Sequence, residues 1–179
     1  MAREHQRAKA AFERAVTRLR TLPELQHSWP QPPTDAQREE LSELAQAAVV
    51  EALVWARAFD HAARGVDGLT ALAGYPSMAP EEMQAAVYVA NKGIHLLIEF
   101  TDVAHAPSIG GYAQTPWAGS LQVPVLRWVT PGRLPLDRVN KQGRVHPGDV
   151  ATRTSFVNRW AGQPVPHALS EVETWLNPW

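Results

Sequence analysis

Residues 34–65 read TDAQREELSELAQAAVVEALVWARAFDHAARG, and the fold turns on this stretch. Leu41, Leu44, Ala45, Ala48, Val49, Ala52, Leu53 and Ala56 recur at the spacing of one helical face. Thr34 and Gln37 stand three apart, as in a capping box, where each side chain satisfies a backbone N–H of the other's turn. Asp35, Glu39, Glu40 and Glu43 add negative charge toward the end where the helix dipole favours it. Gly65 is the expected stop. A helix of some thirty residues is a rod about 45 Å long. Val50, Val54 and Trp55 extend its apolar surface beyond one face, so it is expected at the centre of the fold or at a dimer surface.

Two further long helices flank this one. Ala8, Ala11, Phe12, Ala15, Val16, Leu19 and Leu22 have helical spacing, with Pro23 as the expected end. The connector Ser28 to Pro33 then reads as extended, with Trp29 plugging onto the bundle. A third helix is expected from near Pro80 to about His105, after a break at Gly74-Tyr75-Pro76. Its buried face is read as Met83, Val87, Ala90, Ile94, Leu97 and Ile98. Its polar stripe is read as Gln84, Tyr88, Asn91, His95, Glu99 and Asp102. From Ala106 to Gly148 proline and glycine dominate. Leu121 to Val129 is the one plausible extended run, which Pro124 restricts to an edge strand or an ordered arm. Two short helices, Asp149 to Ala161 and His167 to Leu176, close the chain. The expected class is therefore mainly α: a bundle of three to four long helices, a Pro-rich irregular arm and short C-terminal helices.

The composition fits one domain over residues 1–179, divided into a helical core (1–105), the arm (106–148) and the C-terminal helices (149–179). The 179 residues are 45% hydrophobic, enough for a core that needs no disulfide or structural metal, and there is no cysteine to supply a thiol nucleophile or redox pair. The net charge of −1 gives no general argument for a polyanion partner. Its distribution is uneven: residues 1–20 carry +4, 24–102 carry −8 and 127–159 carry +5. Ion pairing between these blocks is the favoured reading over a nucleic-acid groove. The longest apolar stretch, Ala45 to Ala58, is broken by Gln46, Glu51 and Arg57 and falls short of the ~20 residues a membrane span needs. With no apolar leader at the N-terminus, a cytoplasmic location is expected.

No phosphate-binding loop, dinucleotide fingerprint, nucleophile elbow, zinc-protease motif or calcium loop is present in the sequence. The best metal set is His95, Glu99, Asp102 and His105, with Asp60 and His61 from the preceding helix. Only Asp102 and His105 have the spacing of a bundle metal pair, so neither a metal nor another cofactor is expected.

The segment Ala90-Asn91-Lys92-Gly93-Ile94-His95 resembles the Arg-Asn-x-x-x-His element of the HEPN superfamily, helical nucleotide-binding and ribonuclease domains of toxin–antitoxin and phage-defence systems. The likeness spans about residues 35–105. It implies a dimer whose arginine and histidine act on the RNA backbone without metal. Asn91 and His95 match the element, whereas the arginine position is Ala90, which implies weak or absent ribonuclease activity. An alanine cannot make the bidentate contacts of a guanidinium to phosphate. Arg57 and Arg64, on the helix before, are the expected replacements if they face His95.

On this reading His95 is the general acid or base, Asn91 positions it and Arg57 or Arg64 bears the phosphate. The same Asn91, His95 and Glu99 also fit an ordinary i, i+4 ladder on a helix. The alternative function is a non-catalytic protein-interaction or structural module with a partner protein instead of RNA. The tryptophans read first as core anchors. Base stacking on Trp117 or Trp128, beside Arg127 and Arg133, is the functional alternative.

Overall fold

The computed structural model describes residues 4–27, 34–66, 69–92, 98–101, 125–135, 145 and 147–179. Among these it is a mainly α-helical bundle. The elements are α1 (Glu4–His27), α2 (Asp35–Ala63), α3 (Glu81–Lys92), β1 (Ile98–Thr101), β2 (Val125–Trp128), α4 (Pro147–Arg159) and α5 (Val165–Leu176), with a 3-10 turn at Pro131–Arg133.

The long central helix forms as its end signals dictate. The Thr34 side chain accepts from the Gln37 N–H at 3.2 Å, and Gln37 Oε1 accepts from the Thr34 N–H at 2.9 Å, so both halves of the capping box are made. At the other end Gly65 adopts φ +70° just past the cap residue Arg64. A Cβ there would lie 2.7 Å from the Leu69 carbonyl oxygen and 2.8 Å from the Ala71 nitrogen. Only glycine fits both the left-handed backbone and that close approach.

Helix α2 is central, packed along α1 and also against α3 and α5. Its Ala45, Ala48, Ala52 and Ala56 are buried, as are Ala8, Ala11 and Ala15 of α1. Small side chains on both helices allow their axes to approach closely. Phe12, Leu53, Phe59, Met83, Tyr88, Phe156, Trp160 and Leu169 fill the remaining core. Two expected features of α2 differ. Leu44 is 41% exposed because it sits about 90° from the centre of the apolar stripe. Val50 and Val54, on the far side, are 41% and 50% exposed, whereas Trp55 is half-buried against the core.

Helix α1 runs through Pro23 to His27 instead of ending there. Proline costs the bond to the carbonyl four residues back, and the helix continues past that loss. The larger departure is at α3. Its described part is Glu81–Lys92, and Ile98–Thr101 is a strand antiparallel to Val125–Trp128, with Ile98 opposite Trp128 and Thr101 opposite Val125. The helical stripe read through Glu99 is therefore not one face of one helix. Tyr88, assigned to that stripe, is buried and packs on Phe156 with ring centroids 5.3 Å apart.

The extended run in the arm does contain β2, but neither of its sides is a bare edge. β1 pairs on one side. On the other, the Trp128 N–H donates to the Gln163 carbonyl at 3.0 Å and the Gly162 N–H donates to the Trp128 carbonyl at 3.0 Å. Gly162, at φ +74°, makes the turn that brings residues 162–164 alongside β2. Residues 106–124, 136–144 and 146 of the arm, with Trp117 among them, and the connector with Trp29 lie outside the described residues.

Ion pairs join the charge blocks as expected. Arg18 of the basic N-terminal block pairs with Glu51 of the acidic middle. Arg20 grips Glu173 of α5 with two bonds, at 3.0 and 2.6 Å. Arg159 meets Glu82 at 2.7 Å and Glu171 at 3.0 Å, tying α4 to α3 and α5. No described helix is long and apolar enough to cross a membrane.

Candidate functional site

Arg57 lies on α2 and Asn91 one residue before the end of α3, and the two helices pack together. Arg57 Nη1 donates to Asn91 Oδ1 at 2.7 Å, and both residues are exposed. An amide oxygen is neutral, so this bond orients the guanidinium and leaves its charge intact. Among the described residues Arg57 meets no carboxylate. The Asn91 amide nitrogen, with its oxygen engaged, remains a donor. Together they present charged and neutral N–H groups at one spot, an arrangement suited to an anion.

Arg64, two turns along α2, has a different role. It pairs with Asp60, whose carboxylate is fully buried. Tyr75 completes the group, its hydroxyl donating to Asp60 Oδ1 at 3.1 Å. Burial pushes the Tyr75 hydroxyl above the usual tyrosine range, and the Asp60 charge acts in the same direction. Tyr75 in turn packs edge-on against Phe59 and Trp179. Arg64 still lines, with Asn91, Gln84 and Asp149, a hollow of about 410 Å³, but its charge is balanced by Asp60.

A second hollow, of about 540 Å³, lies between α1 and α2. Val54, Trp55 and Leu69 line it alongside Arg7, Arg57 and His61. Arg57 thus borders this hollow while bonded to Asn91.

His95, Asp102 and His105 lie outside the described residues. Glu99 belongs to β1, opposite Arg127, so it is not a rung of a helical ladder. Among the described residues no group of three or more histidine, aspartate or glutamate side chains is placed to hold a metal ion.

The second predicted set does not form an exposed platform. Trp128 is 1% exposed, stacked on Trp160 with centroids 5.5 Å apart and edge-on to Phe156. An indole enclosed in this way cannot stack on a base. Arg127 is half-buried and donates to the Gly162 carbonyl at 3.1 Å, holding the turn against β2. Arg133, on the 3-10 turn, is exposed. Sequence reasoning missed the Asp60–Arg64–Tyr75 group, although the i, i+4 spacing of Asp60 and Arg64 was visible.

Compared with protein-family models, curated proteins and solved structures, the chain has no match.

Proposed function

We propose that this chain is a HEPN-like helical protein of a defence or toxin–antitoxin type system that binds RNA as a homodimer, with weak or absent metal-independent ribonuclease activity. The observation that carries the reading is the Arg57–Asn91 bond of 2.7 Å. The guanidinium missing from position 90 is supplied from α2, and it reaches the asparagine of the same element. Its remaining N–H groups suit the non-bridging oxygens of a phosphodiester. In a cleaving protein His95 is the general acid or base, Asn91 orients it, and Arg57 stabilises charge on the phosphoryl oxygens. The resemblance supplies the RNA, the dimer and the biological setting; Arg57 supplies the phosphate contact.

The test combines binding and cleavage. Labelled single-stranded RNA is titrated over a salt series, and a mixed RNA pool is incubated with chelator, for the parent, His95→Ala and Arg57→Ala. Salt-dependent binding weakened about tenfold by Arg57→Ala is expected, the order of one charge-assisted contact. Cutting that disappears in His95→Ala identifies a ribonuclease, and binding without cutting identifies a non-cleaving member. Absence of binding refutes the proposal.

The exposed Val50 and Val54 favour a second reading, a non-catalytic interaction module with a partner protein or a second copy. It predicts an RNA-free oligomer indifferent to His95→Ala and dissociated by Val50→Glu, read by light scattering.

A further inference from the structure

The hollow between α1 and α2 combines two chemistries. Val54, Trp55 and Leu69 give it apolar walls, and Val54 is half-exposed to water. Arg7 and Arg57 bring two cations, against Glu4 as the one carboxylate among the lining residues. Its volume of about 540 Å³ falls within the range of small-molecule sites. Arg57 is held at this border by Asn91, so its guanidinium is oriented before any ligand arrives.

We infer that this hollow is a binding site for a small amphiphile: an apolar chain carrying an anionic head, either a carboxylate or a phosphate monoester. The chain covers the apolar wall at Val54, Trp55 and Leu69, and the head meets Arg57 and Arg7. Charge decides the head: a cationic head would face two guanidinium groups, and a neutral one would leave their excess over Glu4 unbalanced. A medium-length unbranched chain suits apolar walls that offer few hydrogen-bond partners. This site overlaps the proposed RNA contact at Arg57, and its apolar wall lies outside that contact.

The experiment uses the full chain without RNA. Hexanoate, octanoate and decanoate are titrated by calorimetry below their micellar concentrations, beside monooctyl phosphate, octanol and octylammonium. Each added methylene is expected to tighten binding about threefold to fourfold. Octanoate or octyl phosphate should bind at least tenfold more tightly than octanol, and whichever is tighter identifies the head. Arg57→Gln should remove that advantage while leaving octanol unchanged, and Val54→Asp should abolish binding of both anions. Circular dichroism and thermal unfolding check that these exposed substitutions keep the fold. Affinity that does not rise with chain length, or octylammonium binding as well as octanoate, overturns the inference. RNA titrated in parallel against Val54→Ser, which changes the apolar wall and neither cation, reports on the phosphodiester reading separately.

Discussion

Replacing Asp60 with alanine tests the account of how α2 is held against the C-terminal helices. The carboxylate is fully buried and accepts from both Arg64 and the Tyr75 hydroxyl. Its removal deletes two hydrogen bonds to a charged group, each contributing about 1.5–3 kcal/mol. It also leaves the Arg64 guanidinium, whose side chain is 30% exposed, without its counter-ion. Partial access to water limits the second loss, so the expected destabilisation is about 3–5 kcal/mol. For a domain of this size that corresponds to a fall in melting temperature of roughly 10 °C. Urea unfolding of the parent, Asp60→Ala, Tyr75→Phe and the double variant supplies a cycle. A coupling of about 1 kcal/mol or more between the two sites is expected. An Asp60→Ala protein within about 1 kcal/mol of the parent would refute the reasoning, because a buried carboxylate with two partners cannot be removed so cheaply.

Other substitutions probe other parts of the same frame. Gly65→Ala forces a Cβ against two backbone atoms at positive φ and should cost about 2 kcal/mol or more, measured by chemical denaturation. Arg159→Ala removes the link between α3, α4 and α5 and should cost about 1–2 kcal/mol, with a smaller penalty in high salt. The alkaline limb follows from Tyr75. Because its hydroxyl is held above the ordinary range in the folded state, the stability it confers is complete below about pH 10 and falls as pH rises past that value. Absorbance at the phenolate band should show one tyrosine ionising late, and Tyr75→Phe should remove that component.

The parts of this fold legible in the sequence are those set by near neighbours. Thr34 and Gln37 are three residues apart, Gly65 follows the last turn of α2, and the apolar spacing recurs turn after turn from Leu41 to Ala56. What escaped depends on distant partners. Nothing within Ile98–Thr101 names Val125–Trp128 as its mate, and the segment also fits a helical stripe that begins in α3. Tyr88 carries a hydroxyl that suits a polar stripe, but its ring decides its place in the core. Trp128 was open to either reading, although Leu126 and Trp128 buried on either side of half-exposed Arg127 follow the alternation of a strand. In the candidate site, Arg57 was identifiable as a cation near the element, but its bond to Asn91 joins residues 34 apart in the chain.

The seam where β2 lies between β1 and residues 162–164 bears on the time course of folding. The α1–α2 hairpin joins neighbours in the sequence, so closing it takes a short loop. The seam must gather three segments spread from residue 98 to residue 164. The hairpin is therefore expected to form first and the seam last. Weakening the alanine contact between α1 and α2 should then slow refolding, while weakening the bonds of Gly162 and Gln163 to Trp128 should chiefly hasten unfolding. How soon the native state is reached is set by one end of the chain, and how long it lasts by the other.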